Sequence, residues 1–377
     1  MKTDTLDYLN NNWHLANNNI SNKAEADLVF LFGDSNKLKI EACLYDIKKL
    51  YPAAHIVGAS SSGNIHGPEI SDSPIVATAV KFDKGHIAVS KIDFTADDNI
   101  EELSKKLIEQ LPSDNLKHIF ILSDGLNING SELVRGINNA DFPFSVSGGM
   151  AGDGDRFQET WIVADEPAQQ NRIVAVGFYG NNFLISTGYH AGWASFGADR
   201  LVTRSSGNIL YELDNRPALD LYREYLGVFA KELPYSGMRF PLCIKEAPES
   251  NGIIRTLLSI DEKTKSITFA GDIPEGYSAR LMKPDINLLI DGAEKAANEI
   301  NIPNKDSALG VVVSCVGRRI VMKQMVEDEL EIIEEVLGDN VQLSGFYSYG
   351  EIAPVRNDNT ICQLHNQTMT LTVIYEK

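Results

Sequence analysis

Three short loops rich in glycine and serine gather the residues best suited to holding a small molecule. They are Ser60-Ser61-Ser62-Gly63, then Gly148-Gly149-Met150-Ala151-Gly152-Asp153, and finally Ser344-Gly345-Phe346-Tyr347-Ser348-Tyr349-Gly350-Glu351. Glycine lacks a Cβ, so the backbone at such loops can approach a ligand closely. In open α/β sheets, ligands sit beyond the carboxyl ends of strands, where backbone N–H groups are free to bind them. The expectation is that the loops converge on one pocket, and the alternative is that they are only tight turns.

Covalent chemistry finds less support. A nucleophile elbow needs Gly-x-Ser-x-Gly, and in Gly58-Ala59-Ser60-Ser61-Ser62-Gly63 the second glycine comes one residue late. No P-loop motif occurs, and Gly149, Gly152 and Gly154 have the wrong spacing for a dinucleotide fingerprint. Asp153-Gly154-Asp155 starts like a calcium loop but lacks the later ligands. The reading therefore favours a binding protein over an enzyme, with a hydrolase using Ser60, Ser61, Ser62 or Cys315 kept as the alternative. The seven histidines form no His-x-x-x-His or Glu-x-x-His pair, so no multi-ligand metal site is visible. A haem iron needs only one or two axial ligands, and His190 and His365 are the candidates for that role. Cys43, Cys243, Cys315 and Cys362 lie far apart, which suits neither a disulfide framework nor a zinc knuckle.

The loops follow elements of one recurring order. An apolar run at Leu28-Val29-Phe30-Leu31-Phe32 suits a buried strand. Ile40, Cys43, Leu44, Ile47, Leu50 and Tyr51 then fall on one helical stripe, and Ile56-Val57 begins a second strand. The same strand–helix–strand order returns over residues 117–154, and a third time from Gly310 to Glu351. In the third copy Met322, Met325, Val326, Leu330, Ile333, Val336 and Leu337 are expected on one helix face. Residues 73–93 alternate like a hairpin turning at Asp83-Lys84-Gly85-His86, and residues 161–183 hold two strands joined by a polar loop. The first two dozen residues read as an arm or a short helix laid on the body. These elements predict an α/β (α+β) fold of two domains, with mixed β-sheets flanked by helices. The expected divisions are an arm at 1–26, an N-terminal domain at 27–195 and a C-terminal domain at 196–377.

With 377 residues the chain is long enough for about two domains. Its 34 basic and 52 acidic residues leave a net charge of −18, which would repel a phosphate backbone. Nucleic acid is therefore not an expected partner. No run approaches about 18 consecutive apolar residues, so membrane insertion is not expected, and the N-terminal residues lack the apolar core of a secretory signal. Cytoplasmic residence is the default expectation.

Longer motifs resemble the FIST family. Trp193-Ala194-Ser195-Phe196-Gly197, Leu201-Val202-Thr203-Arg204-Ser205-Ser206-Gly207-Asn208 and Arg216-Pro217-Ala218-Leu219 resemble the start of its C-terminal domain. Ser314-Cys315-Val316-Gly317-Arg318-Arg319 fits the middle of that domain, and the run from Gly345 to Pro354 with His365-Asn366-Gln367-Thr368 fits its close. Val57-Gly58-Ala59-Ser60-Ser61-Ser62-Gly63 and Gly148-Gly149-Met150-Ala151-Gly152-Asp153, followed by Arg156-Phe157, resemble the FIST N-domain. The resemblance implies a sensory, small-molecule-binding module of bacterial signal transduction. In that family amino acids are proposed ligands, and some free-standing members are haem proteins that bind nitric oxide and regulate a histidine kinase. The sequence shows no kinase, receiver or cyclase segment, so the expected output runs through a separate signalling protein such as a histidine kinase.

Within the resembling motifs, Thr203, Arg204 and Asn208 read as mainly structural. Arg318, Arg319, Tyr347, Tyr349 and Glu351 are the stronger binding candidates. Arginine clamps a carboxylate, of an amino acid or of a haem propionate, in bidentate geometry, and tyrosine offers an apolar face with a hydrogen bond. The expected ligand-binding set is thus Ser60, Ser61, Ser62, Gly63, Gly148, Gly149, Gly152, Asp153, Arg318, Arg319, Tyr347, Tyr349 and Glu351, with haem as a candidate cofactor. A pure interaction scaffold, with the glycines serving only as turns, is the remaining alternative.

Overall fold

The computed structural model describes residues 1–39, 41–140, 143–302, 307–356 and 358–377. Ile40, expected on the first helix stripe, lies outside them. The three expected strand–helix–strand units are all present, and each forms a parallel strand pair. Leu28–Gly33 pairs with His55–Ser60 across the helix Glu41–Leu50. Leu116–Ser123 pairs with Ser145–Met150 across Gly130–Asn138. Ala308–Cys315 pairs with Val341–Ser348 across Val316–Met322 and Asp328–Leu337. The paired strands are almost wholly buried, which explains their near-continuous Val, Ile, Leu and Phe content.

An antiparallel strand flanks the first strand of each unit: Ile75–Lys81, Arg172–Tyr179 and Met369–Glu376 respectively. On the other side of each unit a further antiparallel strand arrives from a different unit. Ile162–Ala164, which follows the second unit, joins the first sheet. Gly350–Val355, which follows the third, joins the second. Asn64–His66, which follows the first, joins the third. The exchange is cyclic, and three six-stranded mixed sheets result. A nine-stranded antiparallel sheet drawn from residues 194–283 lies beside them and has its own core around Leu210, Tyr222 and Phe269.

The three sheets meet in one apolar centre. Phe30 meets Phe120 edge-on at 5.4 Å between centroids, and Phe32 stacks on Phe346 at 4.7 Å. Val174, Val176, Val311 and Val313 complete that cluster. Burial of this many large side chains, at about 1.5–3 kcal/mol each, dominates the stability of the assembly.

Several local expectations need correction. The first two dozen residues form no arm or helix. Lys2–Leu9 and Asn12–Asn18 make a hairpin, and Lys2–Leu9 pairs with Ile75–Lys81. Ile75–Lys81 and His86–Asp93 are both strands, but they belong to different sheets. Ile75–Lys81 pairs with Lys2–Leu9 and Leu28–Gly33, His86–Asp93 pairs with Arg172–Tyr179, and the Glu376 carboxylate takes the amides of Asp83, Lys84 and Gly85 between them, at 2.6, 2.6 and 2.5 Å. Likewise the two strands expected within residues 161–183 lie in separate sheets. The long helix expected after Cys315 is broken at Lys323, whose φ of 53° ends the first segment, and Met325 is left 41% exposed.

Candidate functional site

The three Gly/Ser loops do converge, but their amides bind one another. Gly152 N donates to Ser60 O at 2.9 Å, Ser62 N to Tyr347 O at 2.8 Å, and Tyr349 N to Met150 O at 3.1 Å. Tyr347 N returns a bond to Gly63 O at 2.9 Å. Glycine is needed here for packing: a Cβ on Gly148, whose φ is 144°, would lie 2.0 Å from Ile121 O. The expected picture of free amides around a common cavity is thus corrected, because the junction is a solid knot.

The serine hydroxyls are spent in the same way. Ser60 Oγ accepts from Trp161 N at 2.9 Å, and Ser61 Oγ donates to Asn64 Oδ1 at 2.5 Å. Ser62 Oγ accepts from Gly154 N at 3.0 Å and donates to Gly154 O at 3.2 Å. Arg319 donates to Ser62 O and lies over the Tyr347 ring, which ties the loop to the third unit. Gly149 is buried inside its strand against Val313.

Arg318 and Tyr347 belong to a buried network. Arg318 is fully buried, donates to Glu329 Oε2 from Nε at 3.0 Å and from Nη2 at 2.8 Å, and donates to Leu289 O at 2.8 Å. Tyr347 and Ser314 donate their hydroxyls to Glu329 Oε1 at 2.8 and 3.0 Å. A buried ion pair needs such extra bonds to offset desolvation, and here both partners have them.

An open cleft lies one layer away from the knot. It sits beyond the carboxyl ends of Leu116–Ser123, Ser145–Met150 and Ala308–Cys315, the position expected for a ligand in an α/β sheet. One wall comes from the first half of the chain: Gly125, Leu126, Ile128, Asn129, Met150 and Phe157. The other comes from the second half: Asn208, Met238, Thr256, Leu258, Phe269 and Tyr349, with Cys315, Val316 and Gly317 as the floor. Its inner part has a volume of about 110 Å³. An adjoining compartment of about 280 Å³ shares Leu126, Phe157, Met238 and Leu258 with it. The walls are mostly apolar, and the Thr256 hydroxyl is buried there without a hydrogen-bond partner.

Two buried aspartates shape the cleft. Asp124 Oδ1 accepts from Leu126 N and Asn127 N, both at 2.8 Å, and its Oδ2 accepts from Asn171 N at 3.0 Å. Asp153 accepts from Phe157 N at 2.9 Å and from Gln158 N and Glu159 N at 3.0 Å, and it also takes the Tyr349 hydroxyl. This clamp holds Phe157 at a φ of 51°, a conformation costing on the order of 1–3 kcal/mol for a bulky residue. The Phe157 ring is thereby stacked on Tyr349 at 4.6 Å and faces the cleft. Asp153 therefore organises the wall and does not itself line it.

Beneath the floor lies Glu351, fully buried. It accepts from Ser348 Oγ at 2.5 Å, from Thr368 Oγ1 at 2.8 Å and from Thr368 N at 3.1 Å. Burial pushes its carboxyl up to about 7 despite these bonds. The Cys315 thiol is pushed well above its ordinary value, first by burial and then by the Glu351 charge. A thiol so held is a poor nucleophile.

Of the thirteen expected binding residues, only Tyr349 lines the cleft. The others build the knot, the buried Arg318–Glu329 network or the second layer. Asn208, read as structural from sequence, is a wall residue. Ser123-Asp124-Gly125 closes the apolar run of the strand Leu116–Ser123, and that strand-ending position is the sequence signal that points to Gly125 and Leu126. Met238 and Leu258 carry no sequence signal, since they reach the cleft from a short 3-10 turn and an irregular strand of the nine-stranded sheet.

His190 and His365 share a second cavity of about 220 Å³ with Arg356, Gln363 and Thr368. His190 Nδ1 and His365 Nε2 are both buried without a hydrogen-bond partner, so the donor nitrogens themselves suit an iron. The enclosure does not fit a haem. It is smaller than the roughly 300–1,000 Å³ of drug-sized ligand sites, and polar groups interrupt the apolar walls that a macrocycle needs. Among the described residues no cluster of three or more His, Cys, Asp or Glu could hold a metal ion, and no helix is long and apolar enough to cross a membrane.

Comparison with known proteins bears on this geometry. The FIST N domain matches residues 27–216 and the FIST C domain matches residues 218–354. An uncharacterized protein of Methanocaldococcus jannaschii is 23% identical, over 93% of this chain and 73% of its own length. Two solved structures of cyanuric acid hydrolase, one from A. caulinodans, align with TM-scores of 0.34 and 0.35 at 8% and 9% identity. They cover 94% of this chain and 91% and 92% of their own, and overlap this loose carries no inference.

Proposed function

The chain belongs to the FIST family, and on that premise we propose that it is a sensor whose small-molecule site is the cleft between the two halves of the chain. The observation that carries this reading is the origin of the walls. Leu126 and Phe157 face Met238 and Leu258 across the opening, so a guest would touch both halves at once. A ligand can shift an equilibrium only by its differential affinity for two states, and a guest touching both halves would have that differential in any rearrangement that alters the spacing of the two walls.

The lining selects the chemistry. An apolar body would fill the space between Leu126, Phe157, Met238 and Leu258, and one polar group would meet the unpartnered Thr256 hydroxyl. Such a guest is an uncharged or weakly polar molecule of fragment size. A cytoplasmic location is part of this proposal, and the resemblance supports a separate signalling partner such as a histidine kinase. Binding is favoured over hydrolysis because the hydroxyls of Ser60, Ser61 and Ser62 touch no ionisable side chain, and the Cys315 thiol is held protonated.

Thermal-shift screening of the whole protein against a fragment library tests the reading. A bound ligand stabilises by RT ln(1 + [L]/Kd), about 2.7 kcal/mol at a hundredfold excess over Kd. Hits should be lost in Leu126→Trp, which fills the cleft. Turnover of esters or amides that disappears in Cys315→Ala would support hydrolysis instead. A haem-type sensor would develop a Soret band with hemin that His190→Ala or His365→Ala removes; the small polar cavity around those residues predicts no such band.

A further inference from the structure

The second cavity has a chemistry of its own and shares no lining residue with the cleft. It lies where the strands Phe183–His190, Ile253–Arg255 and Asp358–His365 come together. Three nitrogens at this cavity are buried without a partner: His190 Nδ1, His365 Nε2 and Arg356 Nε. The His365 ring is 4% exposed and packs on Tyr189 at 4.3 Å. A buried polar atom left unbonded loses its hydration with nothing in return, so three at one cavity mark a place where a guest completes the hydrogen bonding.

The surrounding charge decides what the guest is. Two imidazoles suit a transition metal in principle. However, Arg356, Lys295 and Arg318 act on His190, and Arg255 and Arg356 act on His365. Burial first, and these cations second, hold His190 down at about 4 and His365 at about 3, so both rings are neutral at pH 7. The nearby carboxylates are already engaged: Glu299 with Arg356 at 2.7 Å, Glu329 with Arg318, and Glu351 with Ser348 and Thr368. Glu299 and Glu329 thereby neutralise Arg356 and Arg318, and the positive charge left over comes from Arg255 and Lys295, which have no ion pair among the described residues; it disfavours a metal cation and favours an anion.

The donors narrow the class further. A guanidinium Nε can only donate, and a neutral imidazole offers one N–H. Ala191, Ile253 and Ile254 add apolar wall, which suits a short hydrocarbon tail and not a fully hydrated oxyanion. We propose that this cavity binds a small carboxylate anion, with Arg356 Nε donating to one carboxylate oxygen and an imidazole N–H of His190 or His365 to the other. The site stands apart from the cleft, and an empty cleft leaves the inference intact.

Titration of the full chain with sodium acetate, followed through the imidazole NMR resonances of its histidines, tests the proposal. Saturable shifts confined to His190 and His365 are expected. Arg356→Gln should weaken acetate at least tenfold. If Arg356→Gln does not fold, Ala191→Leu, which puts carbon into the cavity, should abolish the same shifts. Absence of saturation, shifts unchanged in these variants, or saturation by sulfate or Zn²⁺ but not by acetate would each overturn the assignment.

Discussion

Asp153 and Asp124 show how single buried carboxylates set the shape of the cleft. Each turns a loop inward by collecting several backbone N–H groups, and the Asp153 loop presents Phe157 in a left-handed conformation. Asp153→Ala would strand three amides and the Tyr349 hydroxyl, each worth about 1–3 kcal/mol when buried and unbonded. A loss of at least about 3 kcal/mol in denaturant unfolding is expected, together with loss of cleft binding, whereas Tyr349→Phe should cost only about 1–2 kcal/mol. Glu351 is the matching residue below the floor. Its carboxyl titrates near 7 in the folded chain against an ordinary value of 4.5, so its stabilising contribution is complete below pH 4.5 and is lost as pH rises through 7. Comparing Glu351→Gln with the parent between pH 5 and 8, the stability difference should move toward the variant by about 3 kcal/mol, at 1.36 kcal/mol per pH unit. A difference that stays flat would mean that Glu351 titrates normally.

At the scale of elements, the parallel strand pairs were legible because their apolar runs and helical stripes are local signals. Partner choice was not. Residues 75–93 carry an alternating pattern and a turn, yet the two strands separate because both edges of Ile75–Lys81 are taken by strands distant in sequence, Lys2–Leu9 and Leu28–Gly33, while His86–Asp93 pairs with Arg172–Tyr179. The hairpin Lys2–Leu9 and Asn12–Asn18 was missed because its outer strand is half-exposed and Asn-rich, with little apolar periodicity to read. Arg318 and Tyr347 had the chemistry of ligand clamps, and only tertiary packing brings Glu329 within 3 Å to consume both. His118 illustrates element pairing in the parallel direction. Its ring, fully buried, bridges the hydroxyls of Ser145 and Ser147 at 2.7 and 2.8 Å and is pushed down to about 3 by burial. Its neutral form stabilises the fold above the unfolded value of 6.5, and that contribution is lost as pH falls toward 3. The acid limb of a melting-temperature profile should therefore be shallower in His118→Gln than in the parent, and equal slopes would contradict this placement.

Across the whole molecule, the cyclic exchange of strands couples the two halves. Gly350–Val355 and Asp358–His365 extend the second sheet, while Asn64–His66 and Glu69–Ser71 complete the third. Expressed separately, residues 1–216 and 217–377 should each fail to give a cooperative unfolding transition, and co-expression should restore one. This interlocking was invisible in the sequence, since each exchanged strand is short and its partner lies a hundred residues or more away. The same interlocking places the cleft between walls from both halves, and that is the core of the account. Fragment binding followed by thermal shift on the parent, on Leu126→Trp and on Leu258→Trp tests it most directly. The account predicts ligands that raise the parent's melting temperature and lose that effect in both filled variants. Ligands that stabilise all three proteins equally would contradict it, because the binding site would then lie elsewhere.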